Sequence, residues 1–145
     1  MLGVFIAVLS GALMSIQGVF NAELTKQSGI WMAAGFVQIS AFFVCLAAWF
    51  MTGSQSSVSE LFSIDKKYML LGGVMGAFIT YTVIKGIEYL GPARNAQLII
   101  ISQLIVAYLI EVMGLFGSEK AGFDIKKVIG VLVITSGIVI FTWGH

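Results

Sequence analysis

Residues 27–59 form a stretch of 33 amino acids without a single Asp, Glu, Lys or Arg. Four more such runs cover residues 1–22, 68–84, 95–110 and 128–145, so charge is confined to the short segments between them. A helix needs about 20 mostly apolar residues to cross roughly 30 Å of hydrocarbon. Five runs of about that size consume nearly the whole 145-residue chain. Only 10% of the residues are charged, against about 25% in ordinary soluble domains, while 59% are apolar. A soluble domain this small has too little interior to hide that much apolar surface. One integral membrane domain over residues 1–145 is expected, and a soluble globular domain is all but excluded.

Spans are expected at about 2–22, 30–51, 68–90, 95–117 and 127–143. Segments 23–29 and 118–126 read as short loops, and 52–67 as the longest, opening on a Gly/Ser/Gln tract. Between spans three and four, Gly91 and the single Pro92 break helix periodicity. Peptide groups in lipid must be satisfied within the segment, and the runs are too long for barrel strands. The expected fold is therefore an all-α membrane protein of five transmembrane helices, packed by short connections into a bundle. The first run lacks a basic leading region and outlasts a signal peptide, so it reads as a retained span. Cys45 is alone, which rules out an intrachain disulfide. The net charge of +1 suggests no nucleic-acid partner.

Small residues recur along two spans. Gly3, Ala7, Gly11 and Ser15 repeat every four residues on the first, and Gly72-x-x-x-Gly76 followed by Thr80 on the third. Such rows let helix backbones approach closely in lipid, either within the chain or between subunits. Orientation is nearly balanced. With five spans, Lys66, Lys67, Lys120, Lys126 and Lys127 share one side, while Lys26, Lys85 and Arg94 share the other. This weak bias permits insertion in both directions, and two opposed copies would make an antiparallel homodimer of ten helices.

No enzyme signature appears, and nothing calls for a cofactor or a metal: the one His ends the chain and the one Cys is alone. What remains is a small set of polar residues inside apolar spans, where function is the default hypothesis. Ser10, Met14, Gln17 and Asn21 share one face of the first span. Ala96, Gln103, Ala107, Glu111 and Gly114 form a small or polar stripe on the fourth, where Gly114 also reads as a helix-packing position. Interhelical hydrogen bonding explains Gln17, Asn21 and Gln103 as well as a substrate-facing surface does. Glu111 stands about six residues, or roughly 9 Å, before an expected helix end at Gly117. A Glu at that depth must be neutral, paired or hydrated, so it is a candidate cation or proton site, with a structural ion pair or an interfacial position as alternatives. Lys85 and Glu88 read as a local pair at the end of the third span, or as a snorkelling lysine. Inverting a second copy would also bring its Glu111 to the depth of Lys85, making Lys85 a candidate ion-pair partner across a dimer. Trp31, Trp49, Tyr68 and Trp143 sit near span ends as interfacial aromatics do.

Three segments together carry a likeness: Gln17-Gly-Val-Phe-Asn21-Ala-Glu-Leu24; Ser102-Gln103-Leu104 with Glu111-Val-Met-Gly114-Leu-Phe-Gly117; and Lys127-Val-Ile-Gly130 through Gly137. In this order they resemble the half-length, five-helix YdcZ-like family of the drug/metabolite transporter (EamA-like) superfamily. That resemblance implies a bacterial inner-membrane transporter of unassigned substrate, and two five-helix halves of opposite orientation. Gln17, Asn21, Gln103 and Gly114 carry over as motif positions; at Glu111 the family pattern more often has Asp, so the acid is kept with one more methylene.

The leading expectation is a secondary transporter subunit, moving a small metabolite or cation by alternating access, with proton-coupled export as one form. Its partners would be a second copy of itself, the lipid bilayer and the small solute. An accessory or assembly protein and a passive channel are the competing classes. A transporter needs the stripes bearing Gln17, Gln103 and Glu111 to face water, whereas an accessory subunit would bury them as isolated interhelical hydrogen bonds.

Overall fold

The structure is a computed structural model that describes residues 1–53 and 57–142. Its regular elements are all helical: α1 (Leu2–Ser28), α2 (Ile30–Met51), a short α3 (Val58–Phe62), α4 (Gly72–Leu90), α5 (Pro92–Met113) and α6 (Ile125–Thr142). A 3-10 turn at Lys67–Leu71 leads into α4, and another at Leu115–Gly117 follows α5. Among the described residues, four helices are long and apolar enough to cross a membrane: Leu2–Ser28, Ile30–Met51, Lys67–Leu90 and Pro92–Met113. The expected fifth span coincides with α6, but its last residue, Trp143, lies outside the described residues. So do residues 54–56 of the Gly/Ser/Gln tract.

The chain divides into two compact units, Met1–Tyr89 and Leu90–His145. In the first, helix α1 runs on to Ser28, where the sequence suggests a loop at 23–29. No Gly or Pro interrupts that stretch, and Lys26 pairs with Glu23 one turn back at 2.5 Å, so the helix outlasts its apolar run. The reversal into α2 takes one residue. Gly29 donates its N–H to the Thr25 carbonyl at 2.9 Å, and its own carbonyl accepts the N–H of Ala33 at 3.0 Å. It thereby ends one helix and starts the next at φ 79°, ψ 154°, a conformation open essentially to glycine alone. Gly29→Ala is expected to lower stability by about 1–3 kcal/mol. An unchanged unfolding midpoint in detergent would contradict that role.

The core of this unit is small and lies where the ends of three helices meet. Gly18 and Asn21 of α1, Ala33 and Ala34 of α2, and Ile84 of α4 are its buried residues. Close approach has an identifiable cause at two positions. A Cβ on Gly18 would lie 3.0 Å from Ile87 Cδ1, and one on Gly76 would lie 3.0 Å from Gln38 Nε2. Trp31 stacks on Tyr81 with ring centroids 4.8 Å apart, tying α2 to α4. By contrast a Cβ built on Gly3, Gly11 or Gly72 would have no such neighbour within 4 Å, so no close approach within the first unit requires a glycine there. Dozens of large apolar side chains, Phe5, Phe42, Phe78 and Ile140 among them, face outward. In water that surface would be untenable; in lipid it needs no cover.

Candidate functional site

In the second unit, Pro92 opens α5 at a position where its missing N–H costs nothing. The helix stops four residues sooner than the sequence suggests. Gly114 adopts φ 64°, ψ 37° and caps α5 in the left-handed conformation. A Cβ there would lie 3.1 Å from Lys120 Cβ, so Gly114 serves a turn and a close contact rather than helix packing. Phe116 and Gly117 continue with positive φ, which turns the chain away from the helix axis. Glu111 therefore stands two residues from the helix end at Met113, about 3 Å along the axis, instead of the expected 9 Å.

That end of α5 is tied to α6 by a set of polar contacts. The Glu111 carbonyl accepts the N–H of Ala121 at 2.9 Å and that of Gly114 at 3.3 Å. Tyr108 accepts the N–H of Asp124 on its hydroxyl at 2.9 Å and donates back to the Asp124 carbonyl at 3.2 Å. Ser118 donates its hydroxyl to the carbonyl of Leu115 at 2.8 Å and reaches that of Ile110 at 3.2 Å. Lys127, in the first turn of α6, places its ammonium 2.6 Å from Glu111 Oε2 and 5.9 Å from the centre of the Tyr108 ring. Both members of the pair are about half exposed.

Sequence reading places the acid but misses Lys127, Tyr108 and Asp124, because the pairing depends on the geometry of the Gly114–Gly117 turn. Lys85 takes the local reading: it pairs with Glu88 at 2.8 Å, and its ammonium lies 5.7 Å from the Tyr89 ring. Farther up α5, Gln103 lines a shallow groove with Ser102, Val106, Ala107 and Ile110. Its amide makes no hydrogen bond with any described residue. Two members of the predicted stripe, Gln103 and Ala107, thus share one surface, and Glu111 follows Ala107 by one turn.

The polar face of α1 belongs to the other unit. Ser10 spends its hydroxyl on the Ile6 carbonyl at 2.9 Å, and Gln17 is exposed. Asn21 is 7% exposed, and its amide makes no hydrogen bond with any described residue. No buried side-chain polar atom is both sealed off and unpartnered among the described residues.

Residues 2–140 match the family described as "Putative inner membrane exporter, YdcZ". The chain belongs to the YdcZ family. It is accordingly an integral inner-membrane protein of an exporter family, and the apolar outer surface of its helices agrees with that setting. No curated protein and no solved structure matches it significantly.

Proposed function

We propose that the chain is one half of a secondary exporter, working as an antiparallel homodimer of ten spans, with α6 as the fifth span of each copy. It moves a small metabolite or cation outward by alternating access, with proton exchange as the driving reaction. The family match across residues 2–140 carries this reading. Two features of the molecule support it. The shallow α5 groove brings the Gln103 amide and Ser102 beside Val106, Ala107 and Ile110, which gives a small solute a polar group to meet on a largely apolar helix face. At Gly3 and Gly11 even an added Cβ would meet nothing within 4 Å, and such small-residue rows suit a close-approaching second copy.

Purified protein in liposomes, screened with cationic and neutral metabolites, should show saturable flux that follows an imposed proton gradient. Flux that rises linearly with concentration and ignores the gradient would indicate a channel. No flux of any solute in the screen, from protein shown to be folded and dimeric, would remove the transport reading.

A further inference from the structure

The end of α5 holds one carboxylate and one aromatic face, with an ammonium group between them. Glu111 and Tyr108 lie three residues apart on the helix, so their side chains project to neighbouring positions. The Tyr108 ring is not free to swing, because its hydroxyl is held to both the N–H and the carbonyl of Asp124. The cation at this corner is Lys127, paired with the carboxylate at 2.6 Å and standing 5.9 Å from the ring centre, the outer range of a cation–π contact. A carboxylate beside a fixed aromatic face is what recognises an organic ammonium ion. Lys127 is such an ion on a tether.

We infer that the Glu111–Tyr108 corner takes a primary organic ammonium with an apolar body, and that Lys127 is a built-in competitor which the ligand displaces. Glu111 is 48% and Lys127 47% exposed, so the corner opens outward and an external ammonium can reach it. The pair stands at the end of α5 beside the polar connection to α6, where interfacial water screens it, and a weak tether can be exchanged. The apolar body has a surface to follow. Ala107 and Ile110 lead from Glu111 into the groove, and Gln103 stands eight residues, or about 12 Å, along the helix as a hydrogen-bonding end stop. Lys127 leaves on a flexible four-carbon stem, so the exchange needs no movement of the backbone.

The inference rests on the transporter reading only for calling the ligand a substrate, and equilibrium binding tests it apart from flux. Calorimetry on the detergent-solubilised full chain would use phenethylammonium as the probe and neutral 2-phenylethanol as its comparator. Lys127→Met should bind phenethylammonium roughly fivefold tighter than wild type, the gain expected from removing a weak competing pair. Lys127→Arg, a better carboxylate partner, should bind it more weakly than wild type. Glu111→Gln should erase the advantage of Lys127→Met, and 2-phenylethanol should not distinguish the variants. Equal affinities for Met, Lys and Arg at position 127 would overturn the proposal, as would an equal gain for the neutral comparator. If Lys127→Met fails to fold, the order of wild type and Lys127→Arg decides alone. Ammonium binding without flux of any solute would sink the transporter reading and leave the site standing. Flux of other solutes without ammonium binding would do the reverse.

Discussion

Glu111→Gln is expected to cut gradient-coupled transport severely while the protein still folds and dimerises. The substitution keeps the side chain's volume and removes only its charge. Losing one charge-assisted contact to a transported cation or proton should cut flux by about tenfold or more. The fold has little reason to respond. The loop after α5 hangs on the Glu111 carbonyl, which Ala121 and Gly114 share, and not on the carboxylate. The partner left behind, Lys127, is half exposed and can hydrate, so the variant strands no buried charge. Wild-type flux and coupling in Glu111→Gln would show that the acid is only a fastener between α5 and α6. Circular dichroism and the dimer's elution position supply the control.

How far the sequence foretells this chain follows from what sets each feature. Rough helix position comes from the charge-free runs, since lipid leaves the backbone few other solutions, and among the described residues four of the five runs fall on helices long and apolar enough to cross a membrane. The ends of helices do not follow apolarity. Helix α1 passes its last apolar stretch by a full turn because Glu23 and Lys26 are sound helix residues with no breaker before Gly29. Glycine is ambiguous in both directions. It is common inside membrane helices, so Gly114 reads as packing, yet here it takes a left-handed conformation and stops α5. That error moves Glu111 from an expected 9 Å depth to the last turn of the helix. The Glu111–Lys127 pair spans 16 residues through a turn with successive positive φ values, so no periodicity announces it. Gly18 shows the opposite case. It follows Ser15 by three residues without belonging to the four-residue repeat, and only the closeness of Ile87 and Val83 to where a Cβ would stand reveals which helix it admits. The groove on α5 is legible only in part: Gln103 and Ala107 belong to the stripe, while Ser102, Val106 and Ile110 line it from outside the stripe.

A cysteine introduced at Glu119, with Cys45 replaced by Ala, is expected to react with a membrane-impermeant maleimide from both faces of the membrane. Glu119 is exposed in the connection between α5 and α6, so labelling reports where that connection lies. The expectation comes from the distribution of basic residues, five on one side and three on the other. Ion pairing does not sharpen this bias. Lys26 and Lys85 are matched by Glu23 and Glu88, but acids contribute little to orientation, so both lysines still count. A difference of two is too small to commit the first helix to one direction. Labelling from a single face in intact cells, with full labelling after permeabilisation, would end the case for dual insertion. A second measurement ties orientation to activity. Two extra lysines in the 118–124 segment should hold every copy in one orientation and silence the homodimer. Co-expression with a copy fixed the other way, by lysines next to Gly29, should restore flux. If the copies held in one orientation transport as well as wild type, the antiparallel arrangement is wrong even where labelling is mixed.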